Sequence, residues 1–319
     1  MKINKVLAFD IGGTKIAYAT VDRNGKILNE VIRHPTPAAP GAAAKLLKTI
    51  IAQFENQIDA VAVSTAGTVD RTNSRITGSV GNMPEGYMDT DFKALSAKPV
   101  VVENDANSAV WAEHVLGNAK GHDNVILLTL GTGVGVGIIA DGRLLVGKSG
   151  AAGEVHFPVR YDNNRLCGCG RYDCLEIYMS GKALSLEAKA AYKDDNATSH
   201  TVIEGLKQNA LPAVTAFHNW QEMVKNGIVI FADIFDPEVI LLGGSMAHFI
   251  DYKRLNDEAN RMIVTTPFEL KEASFENDAG LIGAALLCVQ KLEKKAVFSA
   301  CCGDETTTCH DRAFLKNSF

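Results

Sequence analysis

The sequence predicts an α/β protein made of two copies of one strand-rich unit. Three observations carry that expectation. Short apolar runs of strand length alternate with helical patterns along most of the chain. A strand, a glycine turn, a second strand, a tight turn and a third strand occur near the N-terminus and again about 120 residues later. Of 319 residues, 46% are hydrophobic and 22% charged, which is enough for a sizeable core and excludes disorder as the global state.

The first unit opens with Val6–Asp10, an apolar run that reads as a buried strand. Gly12-Gly13-Thr14-Lys15 breaks it, and Ile16–Val21 follows as a second strand. Asn24-Gly25 is a two-residue hairpin signal, after which Lys26–Val31 is expected to return as a third strand. In Ala42–Asn56, the residues Leu46, Leu47, Ile50, Ile51 and Phe54 share one face at helical spacing. Val100–Val102 is a strand leading into Glu103-Asn104-Asp105, and Asn107–Leu116 is a helix. The second unit repeats the pattern: Val125–Leu130, the turn Gly131-Thr132-Gly133, Gly135–Ala140, the turn Asp141-Gly142, then Arg143–Val146. Leu211–Phe235 holds one long helix or two, stopped at Asp236-Pro237. Val239–Leu242 is a buried strand ending at Gly243-Gly244, and Gly280–Lys294 is a final apolar helix. The expected domains are residues 1–117 and 118–295, followed by a poorly ordered tail, 296–319. That tail contains Cys301, Cys302, Cys309 and His310, and a second metal site is its alternative reading.

Charge and hydropathy exclude several classes of function. Lys and Arg number 32 against 37 Asp and Glu, a net charge of −5 with no basic run, so nucleic acid is not an expected partner. No stretch approaches the ~20 apolar residues of a membrane span, and Met1–Asp10 lacks a signal-peptide pattern, so a cytoplasmic location is expected. Seven cysteines are present, three of them within eight residues (Cys167, Cys169, Cys174), which points to a metal before a disulfide framework.

Three segments carry chemistry. Glycine turns between strands let backbone N–H groups approach an anion. Asp10, Thr14 and Lys15 add a carboxylate, a hydroxyl and an ammonium to the first turn, and Asp10 suits Mg²⁺, which keeps several waters and takes few carboxylates. Gly131-Thr132-Gly133 would be the second clamp; neither turn matches the P-loop or the dinucleotide fingerprint. Asn104 and Asp105 end a buried strand, where a carboxylate can take a proton from an attacking alcohol; a plain helix cap is the alternative. Between Gly153 and Glu176, Cys167, Cys169 and Cys174 with one further ligand would make a closed tetrahedral Zn²⁺ site, or they are three ordinary thiols. Glu154 and Glu176 flank that cluster.

The motifs Asp10-Ile-Gly-Gly-Thr-Lys15, Glu103-Asn-Asp-Ala106, Leu130-Gly-Thr-Gly133, Gly153-Glu154, Cys167-Gly-Cys-Gly170, Cys174-Leu-Glu176 and Gly243-Gly244-Ser245 together resemble, in order, the ROK family of bacterial sugar kinases. The resemblance spans roughly Val6 to Leu287. It implies the actin-like ATPase (ribonuclease H-like) fold, with two α/β domains closing over ATP and a sugar. It further implies Asp105 as the base that activates a sugar hydroxyl, at C6, and Gly67, Asn82, Asn104, Glu154, His156 and Glu176 as sugar-side residues. Gly12, Gly13, Thr14, Gly131, Thr132 and Gly133 resemble the phosphate turns, and Gly243 and Gly244 the adenosine-side turn. ATP, Mg²⁺, structural Zn²⁺ and a homodimer belong to the same expectation.

The sequence departs from that family at one point. Zinc-bearing members read Glu-x-Gly-His, whereas here Glu154 is followed by Val155, His156 and Phe157. Either the loop shifts so that His156 joins Cys167, Cys169 and Cys174, or the fourth ligand is lost. The expected activity is ATP-dependent phosphorylation of glucose, with N-acetylmannosamine, allose or a β-glucoside as rival sugars. A sugar-binding regulator of the same family is the non-kinase alternative, but only nine residues precede Asp10, which leaves no room for a DNA-reading domain.

Overall fold

The computed structural model describes residues 2–78, 83–160 and 162–301, with side chains through 294. In chain order the first half contains β1 (Lys5–Ile11), β2 (Lys15–Asp22), β3 (Ile32–Pro35), α1 (Ala42–Phe54), β4 (Ala60–Thr65), β5 (Thr68–Val69), β6 (Ile76–Gly78), β7 (Val100–Asn104) and α2 (Asp105–Val115). The second half contains β8 (Val125–Leu130), β9 (Val134–Ala140), β10 (Arg143–Leu144), α3 (Glu176–Met179), α4 (Gly181–Tyr192), α5 (Ser199–Lys207), α6 (Leu211–Phe235), β11 (Val239–Gly243), α7 (Tyr252–Asn260), β12 (Glu269–Glu272) and α8 (Ala279–Cys301).

The repeat seen in the sequence is a repeat of topology. One sheet runs β3-β2-β1-β4-β7 and the other β10-β9-β8-β11-β12. In each, three consecutive antiparallel strands are followed by two parallel ones on the same side. Burial follows from composition: every residue of β4 and of β11 is buried, as expected for strands covered on both faces. On α1, Leu47, Ile50 and Ile51 enter the first core beside Leu7, Phe9 and Val63. Each such side chain stabilises the fold by about 1.5–3 kcal/mol relative to exposure. Leu211–Phe235 is one unbroken helix, with Trp220 fully buried at its centre and Asp236 in a left-handed conformation at its end.

The third strand lies later than the spacing predicts. Lys26–Val31 contributes only an isolated bridge, Val21 to Ile27, and regular pairing with β2 resumes at Ile32. Two side chains explain the delay. Asp22 Oδ1 accepts the Asn24 and Lys26 N–H groups at 2.8 and 2.9 Å, and Asn29 Oδ1 accepts the Thr20 N–H at 2.7 Å. These polar side chains take backbone donors that a neighbouring strand would otherwise satisfy.

The two long connecting helices exchange partners. Helix α2 leaves the first sheet, yet Ala109 and Val110 pack with Val125, Leu127 and Ile139 of the second. Helix α8 follows the second sheet, yet Leu281, Ala284, Ala285 and Cys288 pack on Val6, Ala8, Ala60 and Ala62 of the first. The described side chains of α8, expected with the second domain, thus cover the first sheet, while Ile282 and Leu287 also meet Val125 and Leu127 of the second. The helix runs to Cys301, past the expected boundary at 295. At the crossing of α2 and α8, a Cβ on Gly283 would lie 1.7 Å from the Ser108 carbonyl oxygen, so only glycine allows this approach. Cys302, Cys309 and His310, with the tail reading made for them, lie outside the described residues. No helix among the described residues is long and apolar enough to cross a membrane.

Candidate active site

The site is assembled where the strands of both sheets end. Asp10 lies near the end of β1, paired in register with Ser64 of β4, whose Oγ donates to Asp10 Oδ1 at 2.8 Å. A Cβ on Gly280 would come within 2.5 Å of the same oxygen, so the start of α8 closes over this carboxylate. Burial raises Asp10 above the ordinary carboxylate range; the Ser64 bond and the Lys15 charge oppose the rise, and Asp278 adds to it.

Both glycine turns are shaped by their own backbone bonds. In the first, Gly12 N–H donates to Lys15 O at 2.9 Å, and Thr36 Oγ1 donates to Gly12 O at 2.6 Å. Gly13 is half-buried, and Thr14 and Lys15 point outward; the Lys15 ammonium donates to Asn277 Oδ1 at 3.2 Å. In the second, Gly131 N–H donates to Gly133 O at 3.1 Å, leaving Thr132 exposed. The Gly243-Gly244 turn lies alongside, because Gly243 pairs with Thr129 and the Met246 N–H reaches Leu130 O at 3.3 Å.

Of the two residues at the start of α2, Asn104 takes the capping role. Asn104 is the helix cap: its Oδ1 accepts the Asn107 N–H at 3.1 Å, and its Nδ2 donates to Gly67 O at 3.1 Å. Gly67 itself adopts φ 101°, where a Cβ would be strained. Asp105, the first residue of α2, reaches solvent at its surface, and its Oδ1 accepts the Ala106 N–H at 2.9 Å. Protein packed around the carboxyl removes part of its hydration, and this, then the negative charge of Asp10, pushes Asp105 up to about 6, with Glu154 adding a smaller push. Asp105 thus lies within electrostatic reach of the first turn and of Glu154.

The cysteine-rich loop completes the site. Glu154 accepts from Thr68 Oγ1 at 3.2 Å, and its other oxygen lies 3.3 Å from His156 Nε2. The far side of the same imidazole, Nδ1, lies 3.6 Å from Cys167 Sγ. Cys169 and Cys174 are 3.7 Å apart, and donor atoms of His156, Cys167 and Cys169 all fall within 4.8 Å of one another. All three cysteines are free thiols. Burial pushes Cys167 up to about 12. Burial also raises Cys169, but the Arg171 N–H, the neighbouring thiols and His156 outweigh it and lower this thiol. The hydrogen bond to Glu154 raises His156. Glu176 opens α3, with one oxygen 3.6 Å from Cys167 Sγ and the other 3.4 Å from the Val134 N–H beside the second turn.

An imidazole nitrogen and the sulfurs of Cys167 and Cys169 lie close enough to share one metal ion, and Cys174 Sγ stands beside Cys169; a nitrogen with sulfurs is a donor set that suits zinc. The second imidazole nitrogen facing a carboxylate is the usual outer contact of a metal-bound histidine. Of the two arrangements left open by the sequence, the geometry is the one that brings His156 to the sulfurs. Phe157 is partly exposed and contributes its carbonyl to the Leu175 N–H at 3.0 Å. Asn82 lies outside the described residues.

Sequence reasoning missed three contributors. Ser64 and Thr68 carry no motif, although the parallel register of β1 and β4 would have placed Ser64 beside Asp10. Asp173, buried at φ 56°, accepts from Asn164 N, Arg165 N and Tyr178 OH at 3.0, 2.9 and 2.6 Å, and so fixes the loop that carries Cys174. Its contacts span nine residues of irregular chain, and no periodicity announces them.

Comparison with known proteins agrees with this geometry. The chain matches the ROK family over residues 6–291. It is 34% identical over 310 residues to a glucokinase of Streptomyces coelicolor, covering 88% of this chain and 96% of that one. It is 33% identical over 291 residues to an N-acetylmannosamine kinase of Yersinia pestis, covering 89% and 98%. Among solved structures, the ROK family glucokinase of Streptomyces griseus in complex with glucose and AMPPNP superposes with a TM-score of 0.77 at 30% identity, covering 89% and 98%. A ROK hexokinase from Thermus thermophilus gives 0.77 at 31%, covering 92% and 99%.

Proposed function

This chain belongs to the ROK family, and on that premise we propose that it is an ATP-dependent hexose kinase that phosphorylates the 6-hydroxyl of its sugar, with glucose as the first candidate and N-acetylmannosamine as the second. The observation that carries the reading is the position of Asp105. It is a solvent-open carboxylate at a helix start, under the influence of Asp10 on the nucleotide side and Glu154 on the sugar side.

The mechanism follows from those positions. The turns Gly12–Lys15 and Gly131–Gly133 present backbone N–H groups and the Thr14 and Thr132 hydroxyls to the phosphates. The Gly243-Gly244 turn supports the adenosine end. Asp10 is the carboxylate that would hold Mg²⁺, directly or through water, and the ion would neutralise phosphate charge when bound. Asn104, Glu154 and Glu176 hold sugar hydroxyls at fixed points, which aligns the acceptor oxygen with phosphorus. Ionised Asp105 takes the proton of that hydroxyl as its oxygen bonds to the γ-phosphorus and the bond to the ADP oxygen breaks. Approach of the two halves over the bound substrates excludes water, the competing acceptor.

Zn²⁺ held by His156, Cys167, Cys169 and Cys174 would lock the loop between Glu154 and Glu176. His156 then orients Glu154 through Nε2, and Phe157 takes the place of a polar contact near the sugar's C1 and C2. A cytoplasmic homodimer is part of the same reading.

The test is ADP release with ATP and a panel of hexoses and hexosamines, followed by location of the phosphate on the product. A hexose 6-phosphate is expected from the wild type. The Asp105→Asn variant should bind sugar but lose about 10²–10⁴-fold in kcat. Sugar binding with no ATP consumption would support a regulatory protein and overturn the kinase reading.

A further inference from the structure

Directly before the two residues of the catalytic turn stands a carboxylate with a different environment. The Glu103 side chain is 4% exposed and has four donors. Oε1 accepts the Asn104 N–H at 3.0 Å and Asn107 Nδ2 at 3.1 Å. Oε2 accepts Asn73 Nδ2 at 2.8 Å and the Lys291 ammonium at 2.9 Å. Lys291 also donates to Asn73 Oδ1 at 2.6 Å, and Asn73, held at φ 56°, donates to Val102 O at 2.7 Å. Three segments distant in sequence therefore converge on one carboxylate: the turn before β6, the junction of β7 with α2, and α8.

The convergence has a mechanical consequence. Asp105 reaches solvent, and among the described residues its side chain is held only at its own helix start, by the Ala106 N–H. Its position depends on the backbone that carries it. Glu103 grips that backbone on both sides, at Asn104 N–H and through Asn107 one helical turn on. Lys291 ties the grip to α8, whose opposite end closes over Asp10 at Gly280. One helix thus contacts the supports of both the nucleotide-side and the acceptor-side carboxylates.

We propose that Glu103 and Lys291 are positioning residues for phosphoryl transfer, which hold the Asn104–Asp105 turn at the angle the acceptor hydroxyl requires and touch neither substrate. The proposal rests on Asp105 being the base. A displacement of about 1 Å at a reacting group can cost on the order of 10²-fold in rate, so a contact of this kind is read in kcat.

The experiment compares Lys291→Met, Lys291→Arg, Glu103→Gln and the double variant Glu103→Gln/Lys291→Met in the full chain. Steady-state kinetics, sugar dissociation constants and thermal melting are measured for each. Lys291→Met leaves a buried carboxylate without its cation; the double variant removes both charges and keeps the fold testable if the single one melts early. Expected is a fall of about 10-fold or more in kcat for Lys291→Met and for the double variant, with the ATP KM and sugar dissociation constant within about threefold. Lys291→Arg, which keeps the charge and paired donors, should recover most of the rate. Folded variants that turn over at the wild-type rate would overturn the proposal, as would parallel losses in kcat and sugar binding. If Asp105→Asn itself turns over normally, the base assignment fails; if it is inactive while the Glu103 and Lys291 variants are normal, only the positioning role fails.

Discussion

Asp105 is raised to about 6, and this gives the account a pH signature. The base must be ionised to accept a proton, so kcat/KM, which reports the free enzyme, should follow the ionised fraction. One unit below that midpoint only about one molecule in eleven is ionised, and each further unit costs about tenfold. The assay is kcat/KM, taken from initial rates at subsaturating ATP and sugar across an acid-to-neutral series at constant ionic strength, with direct measurement of ADP. Stability carries the same signature with a defined sign. In the unfolded chain this carboxyl ionises near its ordinary value of about 3.9, below its folded value, so the unfolded state releases its proton first as pH rises. The site therefore stabilises least above about 6, where both states are ionised and hydration of the carboxylate is lost. Asp105→Asn should raise the melting temperature at about pH 8 and give little gain at about pH 4, while abolishing the acid limb of whatever rate remains. A kcat/KM that stays flat to one unit below the midpoint in folded protein, or an acid limb unchanged in Asp105→Asn, would refute the reasoning.

Cys169→Ser should release stoichiometric zinc from the purified protein and weaken sugar binding through Glu154 and His156, read by metal analysis and sugar titration; wild-type protein purified without zinc would contradict it. Gly283→Ala drives a methyl into the Ser108 carbonyl at the crossing of α2 and α8. It should cost about 1–3 kcal/mol or more, visible as a lower denaturation midpoint, and an unchanged midpoint would show that the two helices separate easily.

Much of this architecture was readable because local rules agree with it. Gly12-Gly13 and Gly131-Thr132-Gly133 stand between apolar runs of strand length, and the structure puts a turn at each. The start of α2 was legible as either a cap or a chemical group; Asn104 makes the cap, which leaves Asp105 with its carboxylate at the helix start. What was hidden depends on tertiary contact. The delay of β3 comes from Asp22 and Asn29 side chains competing for backbone donors, which hydrophobic spacing does not register. The docking of α8 on the first sheet is made by Leu281, Ala284 and Cys288 against Val6, Ala8 and Ala62, and a helical apolar pattern does not name its partner sheet. Glu103 read as one letter of a motif; its meaning comes from Asn73 and Lys291, which are 30 and 188 positions away. At the cysteine loop, sequence spacing supplied the sulfurs, but which of His156 and Phe157 comes beside them depends on the fold of the loop, and His156 Nδ1 is the group 3.6 Å from Cys167 Sγ.

A crystal structure of the protein with glucose and a non-hydrolysable ATP analogue tests the central claim most directly. The account predicts the sugar's 6-hydroxyl within hydrogen-bonding distance of Asp105, and the terminal phosphate between the Gly12–Lys15 and Gly131–Gly133 turns. A sugar bound with that hydroxyl turned away from Asp105, or a nucleotide touching only one of the turns, would contradict it.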